Sequence, residues 1–480
     1  MSQVSKNIFW LSISRVLALV LLFVAYTQLF RYLGPYASGQ YQLILSYVLL
    51  FSTVVDFGIQ QFITKKMSEN PGETQEYFYE FFSFEVVVAL LLYVLLVLIA
   101  FLRYPDPAVF YGICLAGLGM VANALTYPYL AVMAAFQDLR KVAWINFLNS
   151  CVNVSIIFAA IFLHRHIVFL ASVQLCFGLL DLVLYRIYAA KHLPRLKILG
   201  GLKLLDFHLI KNVIKQGWPF ALLVGFSAIY NRVDVVLISL MKGYVQTGYY
   251  TAAYKIFDLL GFFPSVVSYT LFPFFAGLMA KSALSEVREN LEKYLRLMMA
   301  AALPMAAGGM VLSAKLIALV AGPEYAPAAP VLSVLIWAPA ILFMYIPVNS
   351  LVISQLTKKA VVITGANVVV NIAGNLLLIP RFGIQAAAAM TVVSERLQGL
   401  FYFYFVRRKI TDFRFVSNFF KPAAAALAMG LVLWPLRTHS LALTLPLGAG
   451  VYSLALLATG FASKEDIRTV KKLFFKKDAA

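Results

Sequence analysis

The sequence predicts an all-α polytopic membrane protein of about 14 transmembrane helices, and three observations carry that prediction. Of its 480 residues 62% are hydrophobic and only 13% charged, with mean hydropathy +0.84. A soluble domain is nearer half apolar and a quarter charged. The apolar runs are mostly 20 to 27 residues long, which suits a hydrocarbon layer of about 30 Å at about 1.5 Å per helical residue. They are too continuous for β-barrel strands, which alternate in segments of about 10 residues. Finally, the basic residues gather in every second connector.

Spans are placed at about 8–33, 40–64, 78–102, 108–136, 142–163, 167–190, 214–241, 245–277, 291–313, 329–355, 360–379, 384–406, 419–436 and 442–462. An even number puts both termini on one side. One set of connectors holds Lys65-Lys66, Arg140-Lys141, Lys191 to Lys215, Lys281 to Arg296, Lys358-Lys359, Arg407 to Lys421 and the tail from Lys464. With Lys6 that set carries about 28 of the 40 basic residues. By the positive-inside rule these connectors, and both termini, are cytoplasmic. The expected setting is a bacterial or archaeal plasma membrane. The first span is too long for a signal-peptide core and is read as uncleaved.

The longest connector, 191–213, divides the chain. The expected organisation is a six-helix lobe over 1–190, a basic cytoplasmic linker over 191–213, a second six-helix lobe over 214–408, an additional helix pair over 409–463 and a basic tail over 464–480. The linker reads either as an amphipathic helix on the anionic inner leaflet or as a plain connector. The outer loops are all short.

A net charge of +19 would suggest nucleic acid in a soluble chain. Here the charge pattern follows membrane topology, so no nucleic-acid partner is expected. Cys114, Cys151 and Cys176 lie inside apolar runs without ligand spacing, and His164-Arg165-His166 sits in a turn without a nearby carboxylate or thiol, so no metal site is expected. There is no nucleophile elbow, P-loop or Asp-rich magnesium site, and the protein is not read as an enzyme. No cofactor is expected.

The two halves echo each other. Gln137, Arg140, Lys141, Asn149 and Asn153 recur as Gln355, Lys358, Lys359, Asn367 and Asn371, 218 residues on. Gly39-Gln40-Tyr41 opens the second span and Gly248-Tyr249-Tyr250 the eighth, and Arg15 falls opposite Arg232. Six spans separate the copies, so the repeat is parallel with its pseudo-two-fold along the membrane normal, as in transporters whose two bundles rock about a cavity.

Charges at bilayer depth single out candidate residues, because each costs about 2.5–3.5 kcal/mol to insert. Arg15, Arg232, Lys255 and Arg396 outnumber the needs of a scaffold. Together they suit an anionic headgroup such as phosphate or pyrophosphate, which an arginine fork holds with two bonds. For each of them, and for Asp56, Asp181, Asp234, Asp258 and Glu395, a structural ion pair or interhelical hydrogen bond is the competing reading. Asn149 and Asn153, with Asn146, share one face of span five. Asn367 and Asn371, with Asn375, share one face of span eleven. These amides suit sugar hydroxyls, or equally serve as interhelical glue. Prolines Pro128, Pro219, Pro264, Pro273, Pro304, Pro339 and Pro347 within or near spans are read as kinks and hinges.

Four stretches carry a family resemblance: DFGIQQFITKKMSE, RVDVVLISLMKGYVQTGYYTAAYKIFDLLGFFPSVVSYTLFPFFAGL, GPEYAPAAPVLSVLIWA and NVVVNIAGNLLLIPRFGIQAAAAMTVVSE. In their order and spacing they resemble the polysaccharide-biosynthesis (O-antigen repeat-unit) branch of the multidrug/oligosaccharidyl-lipid/polysaccharide exporter superfamily. The resemblance implies two six-helix lobes about a central cavity, often with two extra helices. It also implies flipping of an undecaprenyl-pyrophosphate-linked oligosaccharide from the cytoplasmic to the outer leaflet. By that likeness Arg15, Arg232 and Lys255 take the headgroup role, the extra helix pair offers a groove for the lipid tail, and Asp56, Asp234 and Asp258 are ion-coupling candidates, the ion being Na+ or H+. The implied partners are the polyprenyl-linked glycan, the bilayer and a glycan polymerase. The lipid II flippase pattern is not present in full. Two rival readings remain at this point: a cation-coupled multidrug exporter of the same superfamily, and a membrane glycan polymerase.

Overall fold

The computed structural model describes residues 3–56, 59–193, 207–414 and 416–461, and every regular element in them is helical. Eleven helical stretches among the described residues are long and apolar enough to cross a membrane. Two of these, Leu17–Val55 and Ala221–Ala280, are 39 and 60 residues long, enough for two crossings each at about 1.5 Å per residue. The predicted helix-only, multi-crossing architecture is the one observed.

The chain divides into two compact units, residues 1–248 and 249–480. The boundary between these units follows residue 248, just beyond the predicted seventh span. Residues 194–206, the middle of the predicted linker, and the tail over 464–480 lie outside the described residues.

In the first unit, α1 (Gln3–Asp56) contains predicted spans one and two, broken at Gly34 (φ 66, ψ 176). That conformation is essentially restricted to glycine. There follow α2 (Ile59–Glu69), α3 (Thr74–Arg103), α4 (Pro107–Ala124), α5 (Tyr127–Ala135), α6 (Leu139–Phe162) and α7 (Ile167–Ala189). Predicted span four is two helices, α4 and α5, because Pro128 at the start of α5 cannot continue the ladder of α4. Asp106 caps α4 through the amides of Ala108 and Val109 and accepts a bond from Gln40 at 2.5 Å, which ties α4 to the second half of α1.

The core of this unit joins α1, α3, α4, α6 and α7 around Leu43, Ile44, Leu96, Ile113 and Leu170. Helices α4 and α7 meet backbone to backbone. A methyl on Gly178 would stand 2.6 Å from the Gly119 carbonyl oxygen, so only glycine permits the approach. On the far side of α3, Leu91, Val94, Phe101 and Leu102 are exposed, as a lipid-facing surface requires. At the end of α7 the Asp138 carboxylate faces Lys191 Nζ at 2.5 Å, His192 Nε2 at 3.0 Å and Lys141 Nζ at 3.6 Å, and Phe136 stacks on the His192 ring.

Helix α8 (Phe207–Ala280) merges predicted spans seven and eight with a break at Gly243 (φ 78, ψ 179), the same backbone conformation as at Gly34. The second unit begins inside it and continues with α9 (Leu284–Val311), α10 (Ser313–Val320), α11 (Ala329–Leu335), α12 (Trp337–Gln355), α13 (Thr357–Phe382), α14 (Ile384–Lys409), α15 (Val416–Leu436) and α16 (Leu441–Ala458). Predicted span ten is likewise two helices, parted at Ile336. The additional pair, α15 and α16, packs on α9, with the Tyr452 hydroxyl donating to the Ala300 carbonyl at 2.7 Å. Its outer face keeps Leu427, Leu431 and Leu454 exposed.

Candidate functional site

Helical periodicity brings the asparagines of α13 onto the face that meets α14. Asn367 Nδ2 donates to Gln398 Oε1 at 3.0 Å, Asn371 Nδ2 to Ser394 Oγ at 3.1 Å, and Asn375 Nδ2 to Asn371 Oδ1 at 3.0 Å. Asn367 and Asn371 are buried and their amide nitrogens are engaged between helices, so the gluing role describes them. In the first unit Asn149, half-buried on α6, donates to Asp181 of α7. Asn146 Oδ1 accepts from the Tyr185 hydroxyl at 3.4 Å. Asn153 is half-buried on the same helix.

Position 395 of α14 is fixed by a hydrogen bond: the buried Glu395 accepts from the Tyr345 hydroxyl of α12 at 2.7 Å. The next residue is turned about 100° around the helix, and there Arg396 is exposed and lines a cavity of about 450 Å³. The walls are apolar, supplied by Leu303 of α9, Trp337 and Ile341 of α12, Leu400 and Phe403 of α14, Phe413 in the connector that follows, and Phe419 of α15.

A second arginine, Arg407, also lines this cavity, but its Nε bonds to Asp412 Oδ1 at 2.9 Å. The Arg407 hydrogen bond, then the Phe413 amide, hold the Asp412 carboxyl below its usual range. Arg407 is therefore answered by a carboxylate. Among the described residues no carboxylate forms an ion pair with Arg396. An unanswered guanidinium on a greasy chamber is chemically fitted to an anion carried on an apolar chain.

The remaining candidates are distributed as follows. Arg15 and Asp56 lie on α1, with side chains outside the described residues. Arg232 is half-buried and Asp234 buried, both on the first-unit part of α8. Lys255 and Asp258 are half-buried on the second-unit part of the same helix. The cavity and the Asn149–Asp181 bond are the features that sequence reasoning did not assemble. Asp181 and Gln398 stand 217 residues apart, close to the 218-residue offset of the repeat, and that near-match was the available signal. Among the described residues no group of three His, Cys, Asp or Glu side chains could hold a metal ion.

Comparison with known proteins follows from this geometry. A family model described as polysaccharide biosynthesis protein matches residues 4–279. No curated protein matches the chain. Among solved structures, the chain is similar to the lipid II flippase MurJ in an inward closed conformation, with TM-score 0.74 and 14% identity over 94% of this chain and 98% of that one. It is similar to an inward-facing multidrug resistance MATE family transporter of the MOP superfamily, with TM-score 0.61 and 11% identity over 81% of this chain and 94% of that one. A MOP superfamily transporter from Pyrococcus furiosus gives TM-score 0.57 and 14% identity over 84% and 95%. These likenesses establish a transporter-type fold. The family match covers more than half of the sequence, and the chain belongs to the polysaccharide biosynthesis protein family.

Proposed function

We propose that the protein is a flippase that carries an undecaprenyl-pyrophosphate-linked oligosaccharide from the cytoplasmic to the outer leaflet by alternating access. The observation that carries this reading is Arg396, a guanidinium without a carboxylate partner among the described residues, on a cavity with apolar walls. A diphosphate offers the paired oxygens that a guanidinium fork grips, and the aromatic and aliphatic walls suit the prenyl units next to it. Arg15, Arg232 and Lys255 are proposed as further contacts for the head group. Asp234, buried on α8, is the foremost ion-coupling candidate with Asp56 and Asp258. Membership of a polysaccharide biosynthesis family and a fold shared with a lipid II flippase support the same cargo class. A glycan polymerase acting on the delivered units is the proposed partner.

The test is a deletion strain. Lipid-linked oligosaccharide should accumulate on the cytoplasmic side, be identified by mass spectrometry, and clear when the wild-type gene returns. The likeness to multidrug transporters supports a second reading as a drug exporter. Under that reading the same strain gains drug sensitivity and accumulates no lipid-linked sugar.

A further inference from the structure

Two six-residue turns of the first unit, Gly34-Pro35-Tyr36-Ala37-Ser38-Gly39 and Gly243-Tyr244-Val245-Gln246-Thr247-Gly248, share a design. Each opens on a glycine in the left-handed half of backbone space, at φ 66 and φ 78. Each carries a hydroxyl in fifth place that bonds back into its own turn: Ser38 Oγ to the Pro35 carbonyl at 3.1 Å, and Thr247 Oγ1 to the Gly243 carbonyl at 2.9 Å. Each closes on a buried glycine.

The closing glycines do not pack at random. A methyl on Gly39 would stand 2.8 Å from the carbonyl carbon of Tyr244, and nearer still to its oxygen. A methyl on Gly248 would stand 2.8 Å from the carbonyl carbon of Pro35, again nearer to its oxygen, and 3.0 Å from Ser38 Oγ. Pro35 and Tyr244 are both second in their turns, and Gly39 and Gly248 are both sixth. The contact is therefore reciprocal: the second-place carbonyl of each turn rests on the sixth-place glycine of the other. Such self-complementary pairing is what a local two-fold relation produces. The rings of Tyr36 and Tyr244 close over it edge to face, with centroids 5.6 Å apart.

We propose that these turns form a releasable clasp at the end of the first unit that the charge pattern assigns to the outside, and that the transport cycle must open it. This inference rests on the reading of the protein as an alternating-access transporter. The carbonyl–glycine approaches and the aromatic edge within this contact are individually weak, as a contact that must part requires. It depends on two missing side chains, so it closes only where both positions are glycine.

The test uses the full chain with Cys114, Cys151 and Cys176 replaced by alanine and cysteines introduced as Tyr36→Cys and Tyr244→Cys. A short cleavable bis-thiosulfonate cross-linker should arrest transport by at least tenfold, and reduction should restore it. Cross-linked protein that transports at the uncrosslinked rate overturns the proposal. In a second arm, Gly39→Ala and Gly248→Ala should each raise labelling of Tyr244→Cys, a position half-buried in the closed contact, by a membrane-impermeant maleimide severalfold. The same substitution at Gly72, where a methyl meets nothing within 4 Å, should leave labelling unchanged. Unchanged labelling in both alanine variants also overturns the clasp. The labelling arm reads the clasp whatever the cargo, so a wrong cargo and a wrong clasp give different results.

Discussion

Asn149 and Asn367 occupy equivalent stations in the two copies of the repeat. Each sends its amide nitrogen to the following long helix, to a residue 32 or 31 positions on: Asp181 for one, Gln398 for the other. In both, Oδ1 is buried and has no hydrogen-bond partner among the described residues. The 218-residue offset read from the sequence is thus a repeat of hydrogen-bonding geometry as well as of residue type.

Asn367→Ala removes one interhelical bond and one ill-matched carbonyl together. It should lower stability by only about 0.6 kcal/mol, the average for such bonds in a membrane protein. Asn371→Leu removes both the bond that Ser394 Oγ accepts and the one that Asn375 Nδ2 donates and should lower it by about 1–3 kcal/mol. Thermal unfolding in detergent, read on purified protein, checks the ranking. Equal losses would contradict the network.

Arg396→Ala should leave membrane insertion intact and weaken cargo recognition. A charged hydrogen bond contributes about 1.5–3 kcal/mol, which corresponds to a roughly ten- to hundredfold higher apparent KM for flipping. Arg396→Lys keeps the charge but loses the fork and should fall between the two. Reconstituted vesicles with a fluorescent lipid-linked sugar report the series.

The Asp138 contact gives a pH prediction with a defined sign. Burial alone would raise this carboxyl, but hydrogen bonds from Lys191 and His192, with the charge of Lys141, outweigh it and hold it below 3.8. A lowered carboxyl contributes stability that is complete above its unfolded value and disappears as pH falls through the folded value. The protection factor for hydrogen exchange at residues 188–193 should therefore stay constant from pH 7 to about 5 and fall only below about 4. In Asp138→Asn the protection is lower throughout and flat with pH.

Gly34→Ala and Gly243→Ala each force a side chain into a backbone region kept for glycine, and each should cost about 1–3 kcal/mol. Gly225→Ala, inside α8 with nothing within 4 Å of the new methyl, should instead stabilise by roughly 0.5–1 kcal/mol. Melting temperatures of the three variants decide between them.

Much of this was legible because hydropathy is a local signal. The ends of α7, α13, α14 and α16 fall within a few residues of the predicted spans. The breaks that divide predicted spans four and ten have proline signals in Pro128 and Pro339, but a proline reports a kink without saying whether the helix restarts. Two kinds of fact stayed hidden. Which arginine is left without a carboxylate depends on Arg407 finding Asp412 while Arg396 faces the cavity, a matter of side-chain geometry. Which glycine is required for contact, as at Gly119, depends on the carbonyl of a helix far along the chain.

The breaks at Gly34 and Gly243 have a practical corollary. Where a single residue parts two membrane crossings, the chain has no slack to offer at that end. A protease finds no length of free strand there, and an epitope or fluorescent protein spliced into 34–39 or 243–248 would wedge the bundle apart. A reporter is better accommodated over 70–73, where the chain between α2 and α3 is exposed.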